Sequence, residues 1–536
     1  MSDYIFSHDP GEFHSIAAEK SLAVNGVEEA DLAEAERQFL IRDADNLRSH
    51  ARVAHIAAAE CVNKFIHVPG LGWYHWNGMR FVLDVEDKAV TGAVMRVIGN
   101  YAVEALSDRE LLADLVKSQT SSGLAGVVRI MSTITSLSAQ VEELDADAYL
   151  LNTPSGVLDF REIETGSDWR SLTVRPHDPK YRMTQITRGA YDPNAYSELW
   201  QRFISTSLPD AEVQHYLQQA IGVGLVGEQV EHILPILTGV GRNGKGVFYG
   251  ALLHALGNYA TVASPSLFNI DRHATADKPS PALLSLRARR VVFMSETAKS
   301  AELDSARIKA LSGNDRVVAR GVHSKQTIEF DPSHLLFLIT NHAPQLPADD
   351  TAVWERVRTV PWDVVVPPDQ RDSGLGSKLR AEADTVLAWA LAGLEAYFRE
   401  GLVSPERVEE ATDLYRTNQD TVSNFIAERC EDGCTDRESQ STKVLHTDYQ
   451  KYCKANGVMR EHVLGERDFG NRLSELGYAS GKSGSRRFRQ GLRLLPDDEE
   501  ARAEIAKAEG LARAKALHTG DSPSDGPKKP GITYCG

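Results

Sequence analysis

Cysteine is scarce in this chain, with five among 536 residues, at Cys61, Cys430, Cys434, Cys453 and Cys535. So few, so scattered, exclude a disulfide framework. Cys430, Cys434, His446 and Cys453 lie within one stretch, but their spacings fit no standard zinc set, so free thiols are expected. An apolar run of membrane-spanning length is also missing, which leaves no membrane partner to expect. Met1-Ser2-Asp3-Tyr4 carries neither the basic nor the apolar region of a signal peptide, and the expected location is cytoplasmic. Positive charge is in deficit: 59 Lys and Arg against 75 Asp and Glu give −16. A surface that coats a polyanion by charge alone is thereby excluded, and any such contact must be local. What remains, 42% hydrophobic and 25% charged residues, is an ordinary folded composition, long enough for about three domains.

The chain is organised around Ile233 to Val247. An apolar run stops abruptly at Gly239-Val240-Gly241-Arg242-Asn243-Gly244-Lys245-Gly246, and a helical pattern follows. Glycines let successive N–H groups turn inward around an anion. The following helix adds its positive end, and Lys245 can reach the outer phosphates of a nucleotide. The spacing Gly239-x4-Gly244-Lys245 is that of a phosphate loop, except that Gly246 replaces the Ser or Thr whose hydroxyl holds Mg²⁺.

Two more apolar strands with polar ends follow. Val291 to Ser295 runs into Glu296, a carboxylate suited to hold Mg²⁺ or polarise water. Leu335 to Thr340 runs into Asn341, an amide able to orient the attacking water. Parallel strands with their polar ends on one edge are expected. Between them, Val317-Val318 and Thr327-Ile328 can pair around a tip crowned by Arg320, His323 and Lys325. Arg356 and Arg358 follow the third strand and are either surface charges or fingers for a neighbouring subunit's nucleotide.

Upstream, residues 1–60 look helical, and Trp73 to Asp84 reads as a hairpin turning at Asn77-Gly78 in type I′ geometry. Asp145 and Asp147 lie in an acidic run and are expected at a solvated helix end rather than in a polymerase metal site. Downstream, Thr421–Arg429, Thr442–Asn456 and Gly465–Leu476 read as three helices before a Gly- and Arg-rich hairpin, the order of a winged helix. Lys482, Arg486, Arg487 and Arg489 are its candidate contacts to duplex phosphates. The stretch after Pro496 has the composition of a disordered tail.

Together these residues resemble superfamily 3 helicases, specifically the phage, plasmid and poxvirus-type primase-helicase branch. The likeness covers most of residues 150–490 and is densest at Gly239–Gly246, Arg290–Thr297, Ile308–Asp315, Thr340–Pro344 and Glu355–Trp362. Asn152–Asp159 and Tyr191-Asp192-Pro193 look like that branch's N-terminal region. The resemblance implies an α/β fold with an AAA+ P-loop motor, an α+β N-terminal domain and a C-terminal winged helix. It places a helical segment at 1–60, the N-terminal domain at 61–190, the motor at 191–400, lid and winged helix at 401–495 and the tail at 496–536.

It also implies ATP and Mg²⁺ as cofactors and a homohexameric ring with single-stranded DNA in its pore and duplex DNA at the wing. Lys245 would be the Walker A lysine, Glu296 the Walker B acid and metal ligand, Asn341 sensor 1 and Arg356 the finger acting across the interface. His323 and Lys325 would sit on the pore hairpin. The expected function is an ATP-dependent DNA helicase of phage or plasmid replication, working in the host cytoplasm if phage-encoded. The alternative is a P-loop ATPase that binds or loads DNA without processive unwinding. No zinc-ribbon cysteines or catalytic Asp-x-Asp stand out, so any primase is expected on a separate polypeptide.

Overall fold

The computed structural model describes residues 29–264, 267–268, 280–295, 303–321, 327–341, 343–348, 350–456, 458, 463–483 and 486–496. The expected tail from 497 onward and the first 28 residues lie outside them.

The N-terminal module is built on a helix of small residues. α1 (Glu29–Ala44) and α2 (Ser49–Cys61) precede the antiparallel sheet β1 (Phe65–Val68), β2 (Gly72–Trp76) and β3 (Phe81–Leu83). α3 (Lys88–Glu104), α4 (Arg109–Ser118) and α5 (Ser121–Met131) follow. Ala54, Ala57 and Ala58 of α2 are fully buried, and their short side chains admit the other helices closely. α1 and α2 share one core with the residues up to Leu137, so residues 29–60 belong to this module rather than to a separate segment.

The β2–β3 turn differs from the type I′ expectation. A type I′ turn needs positive φ at both central residues, and only Gly78 has it (φ +99°). Asn77 instead accepts the Met79 and Arg80 N–H groups, each at 2.9 Å, and its own N–H donates to Arg80 O at 3.0 Å. The turn therefore runs over four residues.

β4 (Leu150–Thr153), β5 (Gly156–Asp159) and α6 (Arg161–Glu164) come next. They fall in the sequence-assigned N-terminal domain, yet Leu151, Leu158, Phe160 and Ile163 pack in one core with residues of the central module, such as Trp200, Leu217 and Phe248. Asp145 is not at a solvated helix end. Its carboxylate is buried and accepts the Thr184 N–H at 2.7 Å and the Gln185 N–H at 3.3 Å, with Arg287 at 3.9 Å. Asp147 pairs with Arg161 at 2.7 Å. The acidic run thus pins residues 182–187 and an arginine loop together.

The central module contains α7 (Glu198–Ser207), α8 (Ala211–Val223), β6 (Leu234–Thr238), α9 (Lys245–Leu256), β7 (Ala260–Ala263), α10 (Pro281–Leu284), β8 (Val291–Ser295) and α11 (Ser305–Leu311). The hairpin β9 (Val317–Ala319) and β10 (Ile328–Phe330) leads to β11 (Leu335–Thr340), α12 (Thr351–Trp354), β12 (Val357–Pro361), α13 (Leu375–Ala381), α14 (Ala383–Glu400) and α15 (Glu406–Gln419). Five strands form a parallel sheet in the order β12-β6-β11-β8-β7.

Its three central strands, β6, β11 and β8, are almost wholly apolar because both faces are covered. In β8, Val291 and Phe293 face one core and Val292 and Met294 the other, the two-residue period of a strand. On one face α8 and α14 cross at glycine. A Cβ on Gly222 would lie 2.2 Å from Leu394 N, and one on Gly393 would lie 2.0 Å from Gln218 O. No larger residue fits at that crossing.

The C-terminal module contains α16 (Thr421–Arg429), β13 (Cys430–Asp432), α17 (Thr442–Ala455), α18 (Glu466–Glu475), β14 (Ser480–Ser483), β15 (Arg486–Arg489) and β16 (Leu492–Leu494). β13 pairs with β16 and β14 with β15, both antiparallel. The three helices close on Phe425, Tyr449 and Phe469, the last two stacked at 4.8 Å. Cys430 and Cys453 are buried free thiols, and His446 meets Leu464 O at 2.8 Å. Among the described residues no cluster could hold a metal ion, and no helix is long and apolar enough to cross a membrane.

Candidate functional site

The register of the parallel sheet decides what meets at its carboxyl edge. Thr340 lies beside Thr238, and Ile339 beside Ser295. The three polar strand ends expected from the sequence therefore leave the sheet side by side. Glu296 is the next residue after β8 and lies outside the described residues.

The loop from Gly239 to Gly244 is closed by glycines at positions where a side chain fails. Gly241 and Gly244 have φ of +86° and +90°. A Cβ on Gly239 would lie 2.2 Å from Trp362 O. Asn243 is buried and donates to Trp362 O at 2.7 Å, while Trp362 Nε1 donates back to Asn243 O at 2.5 Å. Val366 N donates to Arg242 O at 3.1 Å. The chain leaving β12 thus braces the loop from behind. α9 begins at Lys245, so its first N–H groups, which no helix can pair internally, face the loop.

Lys245 is only 4% exposed, and its ammonium donates to Gly239 O at 2.8 Å. Burial pushes its pKa down to about 8, and the Asp363 carboxylate opposes that shift. Asn341 is exposed at the end of β11. A Cβ on Gly241 would stand 3.8 Å from its Oδ1, so the amide faces the loop across a narrow gap. Val240 at the loop's apex is 80% exposed. Gly246 has room, since a Cβ there would meet only Tyr249, at 3.9 Å.

Arg356 lies at the other end of the sheet. Leu234 N donates to its carbonyl at 2.7 Å, and Val357 pairs with Leu234. The four residues from there to Thr238, at about 3.3 Å each, put it about 13 Å from the loop. It is held away from the loop, with Nη1 on Ala352 O at 2.6 Å and a buried Nε that has no partner among the described residues. Arg358 turns its guanidinium to Glu355 O and Val357 O, at 2.8 and 2.9 Å. Arg320 follows the tip-side pair of the β9–β10 hairpin, Ala319 with Ile328, and its carbonyl accepts the Ser280 N–H at 2.9 Å. His323 and Lys325 lie outside the described residues.

The β14–β15 hairpin divides its four basic residues into two kinds. Lys482 and Arg487 are exposed and directly opposite each other. Like charges in that position repel. Arg486 is exposed, but its guanidinium caps Arg437 O at 2.8 Å and also reaches Ser439 O. Arg489 corrects the expectation of a surface contact. It is 8% exposed and bonds Thr442 Oγ1 at 2.9 Å, Ser474 Oγ at 2.7 Å and Tyr478 O at 3.2 Å. It lies on the same face of β15 as the exposed Arg487, but at the end of the strand that α17 and α18 cover, and there it joins the hairpin to both helices.

Sequence reasoning missed Trp362 as the brace of the loop, and Asp363 and Arg407 beside it.

Residues 54–209 match the family described as D5 N terminal like, 237–356 a family of unknown function, and 417–490 the family described as Poxvirus D5 protein-like. A provisionally named helicase of Acanthamoeba polyphaga mimivirus is 23% identical over 59% of this chain and 34% of its own length. A provisionally named primase of African swine fever virus is 25% identical over 63% of this chain and 36% of its own. A provisionally named helicase of Frog virus 3 is 27% identical over 49% and 27%. The chain thus spans about a third of the length of the relatives it matches. The solved C-terminal region of NrS-1 is 11% identical over 57% of this chain and 77% of that one, with a TM-score of 0.36, too low to define a shared fold. The chain carries a D5 N terminal like domain and a poxvirus D5 protein-like domain, and is homologous to the provisionally named helicases and primases of large DNA viruses.

Proposed function

We propose that this chain is an ATP-dependent DNA helicase of a replication system, working as a homohexameric AAA+ ring. The observation that carries the reading is the braced glycine loop at the carboxyl edge of a parallel sheet, with Lys245 on Gly239 O and Asn341 beside Gly241. Lys245 and the N–H groups of the loop and first turn of α9 bind and orient phosphates. Asn341 holds a water against them. Glu296, following β8, is the residue to hold Mg²⁺, which when bound neutralises phosphate charge. Gly246 contributes no ligand, and among the described residues a Cβ there would meet Tyr249, at 3.9 Å.

Arg356, at the far end of its own sheet, serves a neighbouring subunit, where a guanidinium supplies charge during transfer. The β9–β10 hairpin, with Arg320, His323 and Lys325, grips single-stranded DNA in the pore. The C-terminal module is a winged helix whose Lys482 and Arg487 take duplex phosphates.

The test is ATP turnover with and without single-stranded DNA, together with displacement of an annealed strand. Lys245→Ala and Arg356→Ala should each abolish turnover, and mixing the two should restore part of it, because one interface type then has both groups. A protein that stays monomeric with ATP and DNA, and whose turnover ignores Arg356 and Arg358, would sink the ring reading.

A further inference from the structure

The helices α17 and α18 carry opposite charge on their exposed sides. α17 buries Leu445, His446, Asp448, Tyr449 and Cys453, and it leaves Lys443, Thr447, Gln450, Lys451 and Lys454 exposed. At about 3.6 residues per turn those five positions share one face. The acid of α17, Asp448, is buried and paired with Arg429 at 3.1 Å. The exposed face is therefore positive along its length, in a chain of net charge −16. None of the three ammonium groups has a hydrogen bond or ion pair among the described residues.

On α18 the balance is reversed. Glu466, Asp468 and Glu475 are exposed against Arg467, and Arg472 is taken up by Asp420 at 2.7 Å and Glu475 at 2.8 Å. In helix-turn-helix modules the second helix of the pair enters the groove, led by its N-terminal residues. Here that helix would be α18, and Glu466 and Asp468 in its first turn would meet phosphates with like charge. α17 instead starts beside the wing. Thr442, next to Lys443, is bonded by Arg489 of β15 at 2.9 Å. Arg487, two residues along β15 on the same face, and Lys482 opposite it extend the positive strip.

We infer that the exposed face of α17 is the helical surface that takes duplex phosphates, and that α18 stays out of the groove; the inference rests on the DNA reading of the C-terminal module above. Lys443 and Lys454 are eleven residues apart. That is about 16 Å along the helix axis, or about five base-pair steps of a duplex. Charges so far apart fit a polyanion and not a single small anion. The face carries no aromatic side chain, so it offers none of the stacking on which single-strand binding relies. Thr447 and Gln450, between the lysines, can donate to phosphate oxygens.

The experiment is fluorescence anisotropy of a short labelled duplex, and of one of its strands alone, titrated with the full chain over a range of salt. Lys443→Gln, Lys451→Gln and Lys454→Gln together should weaken the duplex by about tenfold or more near 0.1 M salt and lower the salt slope by about three. Thermal unfolding should not move, because the three ammonium groups are solvated. Arg467→Gln with Asn471→Ala, on α18, should leave duplex affinity within about twofold. A triple variant that binds duplex like the wild type, while Lys482→Ala with Arg487→Ala still lowers the slope, overturns the inference and leaves the DNA reading of the module standing. A loss confined to the single strand overturns it too, as does a loss from the α18 variant as large as that from the triple variant. If neither the triple variant nor the wing variant changes duplex binding, the DNA reading of the module falls and takes this inference with it.

Discussion

Raising the pH should weaken nucleotide binding through Lys245 alone. Its ammonium is buried behind the loop, and burial brings its pKa to about 8, against an ordinary value near 10.4. Phosphates bind the charged form, and their charge pulls the pKa back up. Below pH 8 the side chain is already protonated and binding costs no proton. Above it, the competent fraction falls by about tenfold per pH unit, and apparent affinity falls with it. With a pKa of about 8, roughly nine-tenths of the lysine is charged at pH 7 and about one-tenth at pH 9. The dissociation constant should therefore rise about tenfold between those values, or about 1.4 kcal/mol. Calorimetry in two buffers of different ionisation enthalpy reads the same event as proton uptake, close to one per nucleotide at pH 9 and near zero at pH 7. Lys245→Arg, whose guanidinium keeps its proton, should flatten the profile. A wild-type constant that stays flat from pH 7 to 9.5 would refute the reasoning, as would a Lys245→Arg profile as steep as wild type.

Gly246→Ser should fold normally, because its Cβ meets nothing closer than 3.9 Å, and should lower the Mg²⁺ concentration needed for half-maximal turnover; a raised requirement would show that the loop cannot aim that hydroxyl. Arg489→Ala should destabilise the C-terminal module by about 2–3 kcal/mol in urea unfolding, since it strips three buried hydrogen bonds. Lys482→Ala with Arg487→Ala should leave unfolding unchanged while reducing the salt slope of duplex binding by about two. His334 is buried with both ring nitrogens unpartnered, and burial pushes its pKa down to about 4. The unfolded chain takes up that proton near pH 6.5, so stability holds above that value and drains as pH falls toward 4, by about 2 kcal/mol at pH 5; His334→Leu should remove that dependence.

The sequence by itself determined the local pieces of this protein. β6, β8 and β11 were legible because strands buried on both faces must be apolar throughout, and each ends at a polar residue. The glycine loop from Gly239 to Gly244 was legible because positive φ and close backbone approach leave glycine little competition, as at Gly241, Gly244 and Gly239. The three C-terminal helices were legible from their apolar spacing. Only the tertiary structure decided which pieces meet. β7 and β12 at the sheet's edges are short or mixed, and pairing with β8 and β6 makes them strands. Asp145 reads as a solvated acid until residues 182–187 and Arg287 fold over it. Arg489 and Arg487 are two residues apart in one basic run, yet one is buried between helices and the other faces solvent. Charge is a property of the residue, whereas exposure depends on which elements pack against it. For the same reason no local signal placed Arg407 beside Asp363, the carboxylate that acts on Lys245. Their proximity comes from α15 crossing β12, a contact between segments more than forty residues apart.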